Sequence, residues 1–379
     1  MDGMRFWGIT GTNGKTTTTW IFAEFLNAQP GRKCGYITTV EVNTGMRRFY
    51  TGYTTPPLAQ LKEIYAEMER NGCTDCVMEV SSHAIHQRRT GDTVFAGGAF
   101  TNLSEDHLDY HKTMEEYFRV KLSFAERIAE MRWGGTPPPP ALGRGDFPPY
   151  VVCLDAENGR AMFNAVGNLP LNVLPVSCRT PRYDLSGLQL VGDYNQSNVL
   201  TAATLAAAAG VAHETIQATI PRLRPRWGRL ERVECASAAT VYVDFAHTPD
   251  GLEKVLSAAR GFTPGRLWVV FGAGGDRDRR KRPLMGAVCS RGADVLVVTS
   301  DNPRSERPED IISDVMQGVT AKEVFVDPDR RAAIEFALAH AVAGDVVIVA
   351  GKGHETTQEI AGVKHPFDDR EVVRAYRCT

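Results

Sequence analysis

The chain has 379 residues, of which 43% are hydrophobic and 23% charged, and its formal net charge is −2. Domains usually span roughly 100–200 residues, so this length allows two or three, and the balanced charge argues against a nucleic-acid partner. We find no apolar run of roughly 18 residues and no secretory signal, which excludes a membrane span and predicts a reduced, cytoplasmic protein. Only Cys73 and Cys76 form a close cysteine pair, which we interpret as a helix end running into a buried strand.

The first motif is a glycine-rich loop at residues 8–17, which read Gly-Ile-Thr-Gly-Thr-Asn-Gly-Lys-Thr-Thr. An apolar stretch before the loop predicts a strand, and the periodicity after it predicts a helix. In this setting backbone N–H groups and a helix N-terminus bind phosphate. A tight strand–helix connector is the alternative, which the following Gly-Lys-Thr-Thr disfavours. We therefore predict a nucleoside triphosphate site in which Lys15 neutralises phosphates and Thr16 binds Mg²⁺.

The next elements alternate between strands and helices. The patterns predict a helix over 58–71, strands over 75–80 and 94–100, and a helix over 114–131. Residues 133–149 are rich in proline and glycine and predict an exposed loop, because proline lacks the N–H that a helix needs.

Beyond residue 230 the pattern changes to short apolar strands that alternate with helices, which predicts an open parallel α/β sheet. The predicted fold is therefore α/β with two domains. Residues 1–230 form a P-loop-type domain with the nucleoside triphosphate site, and residues 231–379 form a Rossmann-like C-terminal domain.

Two further motifs carry polar side chains at predicted strand ends. One is Glu79-Val80-Ser81-Ser82-His83, and the other is the segment 101–111, which contains His107. A single such residue is more often structural. Beside a phosphate loop, however, carboxylate and hydroxyl oxygens are the ligands that Mg²⁺ prefers.

These motifs, in this order and followed by Lys121 on the next predicted helix, resemble the Mur ligases. Those enzymes form amide bonds with ATP in peptidoglycan precursor synthesis, and the chain is most similar to the MurE type. The resemblance implies an acyl phosphate on the acceptor carboxylate, which an amine then attacks. It implies catalytic roles for Lys15, Glu79, His107 and Lys121, and Mg²⁺ binding by Thr16, Glu79, His107 and a carbamoylated Lys121. A surface helix lysine is the alternative for Lys121.

The resemblance also implies the substrate contacts. ATP would contact Gly11, Thr12, Asn13, Gly14, Lys15, Thr16, Thr17, Asn198, Arg229 and Asp244. Asn198 would reach the adenine, Arg229 the phosphates and Asp244 the ribose. The muramoyl-L-Ala-D-Glu-type acceptor would contact Thr54, Thr55, Ser81, Gln87 and Arg89.

Residues 301–304, Asp-Asn-Pro-Arg, resemble the signature of enzymes that add meso-diaminopimelate and not L-lysine. Arg304 can pair bidentately with the carboxylate at the far end of diaminopimelate. A turn with a surface arginine is the alternative. The amino-acid contacts implied are Arg277, Asp301, Asn302, Arg304, Gly351 and Glu355.

Acceptor recognition stays open, because the MurE type carries a uridine-binding domain before the glycine loop, whereas only seven residues precede Gly8 in this sequence. We weigh a truncated chain, a separate uridine-binding domain or chain, and a repurposed ligase with a non-UDP acceptor. A folylpolyglutamate-synthase-like or cyanophycin-synthetase-like ligase would share the fold and the ATP chemistry, but the motifs at 301–304 and 351–355 argue against it. An inactive nucleotide-binding homologue is a further alternative, which the presence of Lys15, Glu79, His107 and Lys121 disfavours. We expect a monomer with small-molecule substrates and with neither nucleic acid nor membrane as a partner.

Overall fold

The computed structural model describes residues 3–132, 144–156, 158–321 and 323–377. It forms two compact units, Met1–Leu223 and Arg224–Thr379. The domain boundary predicted at residue 230 lies a few residues after this division. Most of the loop predicted over 133–149 falls outside the described residues, and a short 3-10 helix covers Arg144–Asp146. Among the described residues, no helix combines the length and the apolar character that a bilayer crossing requires.

The first unit alternates strands and helices. In chain order its elements are β1 (Arg5–Thr10), α1 (Lys15–Ala28), β2 (Cys34–Ile37), β3 (Val42–Asn43), β4 (Arg48–Phe49), α2 (Leu58–Arg70), β5 (Asp75–Glu79), α3 (Ser82–His86), β6 (Phe95–Phe100), α4 (Leu108–His111), α5 (Met114–Arg132), β7 (Pro149–Cys153), α6 (Gly159–Val166), β8 (Asn172–Val176), α7 (Asp193–Ala208) and α8 (His213–Thr219).

In the described part of this unit, one sheet has the strand order β4-β3-β2-β5-β1-β6-β7-β8. The strand pairs β2-β5, β5-β1, β1-β6, β6-β7 and β7-β8 are parallel, whereas β2-β3 and β3-β4 at one edge are antiparallel. Strand β1 lies between β5 and β6, with Ile9 opposite Glu79 and Thr10 opposite Phe100. Since the strands are parallel, the loops that follow β1, β5 and β6 leave the same edge of the sheet. Cys76 is buried on β5, and Cys73 is buried two residues before that strand.

The elements of the second unit, in chain order, are β9 (Glu231–Arg232), β10 (Thr240–Asp244), α9 (Pro249–Arg260), β11 (Leu267–Phe271), α10 (Lys281–Gly292), β12 (Val295–Val298), α11 (Pro308–Met316), β13 (Glu323–Val326), α12 (Arg330–His340), β14 (Val346–Ala350), β15 (Thr357–Ile360), β16 (Val363–Pro366) and α13 (Asp369–Ala375). Strands β11 and β14 are buried along their whole length, as expected for a parallel sheet covered on both faces.

The main sheet of this unit has the order β13-β12-β11-β14-β10-β9 over the described residues. Its five long strands are parallel, as predicted, and the short β9, for which no strand was predicted, pairs antiparallel with β10 at one edge. The reason is that β9 is only two residues long and follows no crossover helix in this sheet. Strands β15 and β16 form a separate antiparallel hairpin. The predicted α/β fold class is confirmed.

Candidate active site

The glycine-rich loop joins β1 to α1 and has no room for side chains at two of its glycines. Gly11 has φ +148° and Gly14 has φ +81°, in the region that favours glycine. A Cβ at Gly11 would collide with Thr101 Oγ1, and a Cβ at Gly14 would collide with Asn198 Oδ1. Both positions therefore require glycine, and the loop leads directly into the N-terminus of α1, where N–H groups and the helix dipole favour an anion.

The segment after β6 holds this loop in place. Asn102 accepts hydrogen bonds from Thr12 N through its carbonyl oxygen and from Asn13 N through Oδ1, both at 2.9 Å. Thr101 Oγ1 and Asn102 Nδ2 donate to Asn13 O at 2.6 and 3.0 Å. Thr101 and Asn102 lie in the segment identified from the sequence, but they are not among the predicted site residues. Because Thr101 and Asn102 belong to the same motif as His107, the sequence could have indicated them as site residues.

Two lysine side chains meet at one carbonyl of the loop. Lys15 Nζ donates to Gly11 O at 3.0 Å and to Thr12 O at 2.7 Å, and Lys121 Nζ donates to Gly11 O at 2.7 Å. Lys121 is 1% exposed, so it is not the surface lysine of the alternative interpretation. Desolvation, helped by the charge of Lys15, holds the pKa of Lys121 well below its ordinary value. The amine of Lys121 is therefore easily deprotonated.

Glu79 is the last residue of β5 and is 1% exposed. Its Oε1 accepts a hydrogen bond from Thr39 N at 2.8 Å, and its Oε2 accepts one from Thr39 Oγ1 at 3.2 Å. The parallel pairing of β5 with β1 places this carboxylate at the sheet edge where the phosphate loop begins. Thr39 was not predicted, because it follows β2 and only the strand order brings it to Glu79.

His107 has φ +55° and precedes α4. Its Nε2 lies 3.4 Å from Asp106 Oδ2, and its ring centroid lies 4.9 Å from that of His83. Although the side chain keeps 43% of its surface exposed, desolvation lowers the pKa of His107 to about 4, against the opposing effect of Asp106. The direction of the shift is sufficient to make the imidazole neutral at pH 7, the form that binds metal ions.

The predicted Mg²⁺ ligands fit that ion only in part. Thr16, in the first turn of α1, and Glu79 supply the hard oxygen donors that Mg²⁺ prefers. Within the described ranges, however, no three His, Cys, Asp or Glu side chains are grouped so that they could hold a metal. A shell completed by water and phosphate oxygens is the usual arrangement for Mg²⁺, so the donor set agrees with an ion that is bound together with a nucleotide.

The five predicted acceptor residues lie together beside Glu79. Thr55 Oγ1 donates to Glu79 O at 2.9 Å and accepts from Ser81 N at 3.1 Å. Arg89 donates to Thr55 O at 3.1 Å and to Gln87 Oε1 at 2.8 Å. Thr54 Oγ1 accepts from the Thr39 hydroxyl at 3.0 Å. One hydrogen-bonded patch thus contains all five.

Asn198 on α7 is 5% exposed and lies against Gly14. Its Oδ1 accepts from Thr18 Oγ1 at 3.2 Å, and its Nδ2 donates to Asn195 Oδ1 at 3.4 Å. Asn198 therefore fixes the start of α1 in this structure, and its predicted contact with adenine remains a prediction.

In the second unit, Asp244 ends β10 and is 8% exposed. Its two carboxylate oxygens accept from Leu230 N at 2.6 Å and Ala246 N at 2.7 Å. Burial raises the pKa of Asp244, and the nearby Arg229 opposes that rise. The Arg229 guanidinium lies over the Phe245 ring, 4.6 Å from its centroid. Asp244 and Arg229 are thus neighbours, as expected if both contact one ligand.

Five of the six predicted amino-acid residues follow β12 and β14, and Arg277 follows β11, the strand between them. Asn302 Nδ2 donates to Glu355 Oε2 at 2.8 Å. Asp301 is 7% exposed, and its Oδ2 receives no hydrogen bond from the described residues. Gly351 has φ +119°, and a Cβ there would collide with Asp301 Oδ2. A buried carboxylate oxygen beside an obligatory glycine indicates a place for a ligand cation.

Arg277 lies in the loop after β11, and Arg304, after β12, packs against that loop. Arg304 Nη1 donates to Gly275 O at 2.6 Å, and Arg277 Nη1 donates to Asp276 O at 3.0 Å. A Cβ at Gly274 would lie 3.0 Å from Arg304 Nη1 and 3.8 Å from Arg277 Cγ. The two side chains therefore lie close together, and their predicted contact with a substrate carboxylate remains a prediction.

Comparison with known proteins gives the family. The Mur ligase middle domain matches residues 9–133, and the Mur ligase glutamate ligase domain matches residues 228–353. A relative from Geobacillus kaustophilus, named UDP-N-acetylmuramoyl-L-alanyl-D-glutamate–2,6-diaminopimelate ligase, is 42% identical over 97% of this chain and 78% of its own length. A solved structure described by the same ligase name has a TM-score of 0.62 and 32% identity, over 98% of this chain and 78% of the other. The folylpolyglutamate synthase of Mycobacterium tuberculosis, solved with ADP, shares the fold at 18% identity and a TM-score of 0.66, over 92% of this chain and 88% of its own. Matched by both domains and by relatives of this similarity, the chain belongs to the Mur ligase family.

Proposed function

We propose that this chain is an ATP-dependent ligase that joins meso-diaminopimelate to a UDP-N-acetylmuramoyl-L-Ala-D-Glu acceptor in peptidoglycan precursor synthesis. The relative from Geobacillus kaustophilus carries the name of this reaction, which supports the proposal. The observation that carries it is the polar cluster after β12 and β14, where Asp301 Oδ2 is buried without a hydrogen-bond donor and Gly351 keeps the space beside it open.

This cluster suits a substrate end that carries both charges. Asp301 and Glu355 offer carboxylates to an ammonium, while Arg304 and Arg277 offer guanidinium groups to a carboxylate. The far end of meso-diaminopimelate is such an amino-acid head. The far end of L-lysine is an ammonium alone and offers no carboxylate to Arg304 and Arg277.

The first unit would supply the phosphoryl transfer. The acceptor carboxylate attacks the γ-phosphorus of ATP and ADP leaves, and the amine then attacks the acyl carbon and phosphate leaves. Both steps concentrate negative charge, which Lys15 and the loop N–H groups stabilise. The patch of Thr54, Thr55 and Arg89 holds the acceptor beside Glu79.

Thr16, Glu79, His107 and a carbamoylated Lys121 would hold Mg²⁺, which, when bound, neutralises phosphate charge. Burial keeps the Lys121 amine readily deprotonated, and a neutral amine is the form that adds to carbon dioxide. The addition of the neutral amine forms an N–C bond as one C=O π bond of carbon dioxide breaks, releases one proton and leaves an anionic carbamate at Lys121.

The test is phosphate release from ATP with muramoyl dipeptide acceptors, with and without the UDP group. We expect release to need an acceptor and meso-diaminopimelate, and L-lysine at the same concentration to give little. Lys121→Ala should abolish release, whereas Lys62→Ala on the exposed face of α2 should keep it. Absence of phosphate release with every muramoyl acceptor would overturn the proposal. Equal turnover of the acceptors with and without UDP would show that the enzyme does not recognise the UDP group.

A further inference from the structure

Lys352 is a fully buried cation in the amino-acid cluster that the proposed reaction does not use. Its side chain is 0% exposed. Its Nζ donates to Thr357 O at 2.7 Å, to Glu355 Oε2 at 2.9 Å and to Asn302 Oδ1 at 3.2 Å. An ammonium has three N–H donors, so these three bonds use all of them.

The partners of Lys352 are the side chains that would face the substrate. Glu355 Oε2 accepts from both Lys352 and Asn302, which fixes the carboxylate in one orientation. Asn302 Oδ1 accepts from Lys352 and from Glu359 N, which fixes the amide so that Nδ2 faces Glu355. Lys352 therefore determines how Asn302 and Glu355 are presented.

The charges of the cluster lead to the same conclusion. Arg330 is paired with Asp369, both at 0% exposure, and Lys352 is paired with Glu355. Asp301 Oδ1 accepts from Asn302 Nδ2 at 3.1 Å, but Asp301 Oδ2 receives no hydrogen bond from the described residues. This oxygen is therefore the place for one added ammonium. Without Lys352, the carboxylates of both Glu355 and Asp301 would lack a hydrogen-bonded cation among the described residues. The site would then attract any substrate ammonium, whether or not the substrate also carries a carboxylate beside it.

We propose that Lys352 is a positioning residue that makes the site selective for an amino-acid head over a bare ammonium, by orienting Asn302 and Glu355 and by cancelling the charge of Glu355. This inference rests on the proposed function. Lys352 itself does not have to touch the substrate.

The experiment measures steady-state phosphate release by the full chain with Lys352→Met and Lys352→Gln, with meso-diaminopimelate or L-lysine as the amine. Loss of charge-assisted hydrogen bonds predicts that the KM for diaminopimelate rises about tenfold or more in Lys352→Met. The preference for diaminopimelate over L-lysine should fall, while the KM for ATP should stay unchanged. Lys352→Gln keeps a donor and should lie between Lys352→Met and the wild type.

Two controls separate positioning from folding. The KM does not depend on the fraction of folded enzyme, so a merely structural lysine would change only the maximal rate. Lys254→Met removes a more exposed lysine, 38% exposed and paired with Asp250 on α9, and should leave both KM and selectivity unchanged. In a Glu355→Gln background, the effect of Lys352→Met on KM should largely disappear, because coupled residues are not additive.

Unchanged KM and selectivity in both Lys352 variants, with an active wild type, would overturn this inference and leave the proposed function standing. A wild type that uses neither amine would instead remove the proposed function and the inference with it.

Discussion

The buried pair of Arg330 and Asp369 holds the chain segments that carry Asp301 and Gly351, and its loss should lower the stability of the second unit. Arg330 donates to Asp369 through Nε at 2.8 Å and Nη2 at 2.7 Å. The same guanidinium donates to Ser300 O at 3.2 Å and Ala350 O at 2.9 Å, the carbonyls just before Asp301 and Gly351. Arg330 thus connects the C-terminal ends of β12 and β14 to the start of α13.

Asp369→Asn would remove the counter-charge that is hydrogen-bonded to the Arg330 guanidinium, and the more distant charges of Asp301 and Glu355 would remain. Both Arg330 and Asp369 are 0% exposed, so water cannot replace the lost charge. Removing one partner of such a pair costs about 3–5 kcal/mol. In a unit of this size, each kcal/mol lowers the Tm by about 2–4 °C, so we expect a decrease of about 6–20 °C.

Differential scanning calorimetry of the full chain is the appropriate assay, since it follows the transition of each unit. Glu335→Gln on α12 is the matched control, because Glu335 lies 4.0 Å from Arg331 and both side chains are about half exposed. It should change stability by less than about 0.5 kcal/mol. An Asp369→Asn protein that melts within about 2 °C of the wild type would refute the reasoning.

Three further predictions concern the loop, the arginine and pH. Gly14→Ala should lose ATP binding by calorimetric titration, because the Cβ collides with Asn198. Gly210→Ala, at φ +89° with open space around it, should lose only roughly 1–2 kcal/mol of stability and keep binding, and equal ATP affinity in both would contradict this. Arg304→Lys should raise the KM for diaminopimelate about tenfold with little change for ATP, since lysine cannot pair bidentately, and the exposed Arg307→Lys should behave as wild type. Hydrogen bonds from Arg282 lower the pKa of Glu306 from 4.5 to about 2, so the stabilisation is complete above pH 4.5 and is lost as the pH falls towards 2. Urea unfolding of Glu306→Gln should therefore depend less on pH in that range than the wild type, and parallel curves would exclude this role.

Short sequence motifs were sufficient to predict those parts of the site whose residues are close together in the sequence. Gly11, Gly14 and Lys15 act within a single strand–loop–helix unit, so their spacing alone predicted an anion site. The burial of Lys121 could be expected only from the family resemblance, because the helical pattern around it allows an exposed lysine equally well.

Residues that act across strands were beyond the reach of local patterns. Thr39 binds Glu79 because β2 pairs with β5, and Asn102 holds Asn13 because β6 pairs with β1. Sheet order depends on how distant segments pack, and hydrophobic periodicity does not record it.

The amino-acid sequence by itself therefore determined the fold class, the phosphate loop and the polar motifs after each strand. Only the tertiary structure decided that Lys15 and Lys121 donate to one carbonyl, that Asp301 Oδ2 receives no hydrogen bond from the described residues, and that Lys352 and Arg330 are buried. The physical reason is that burial and electrostatic pairing are properties of neighbours in space, and most neighbours here lie far apart in the chain.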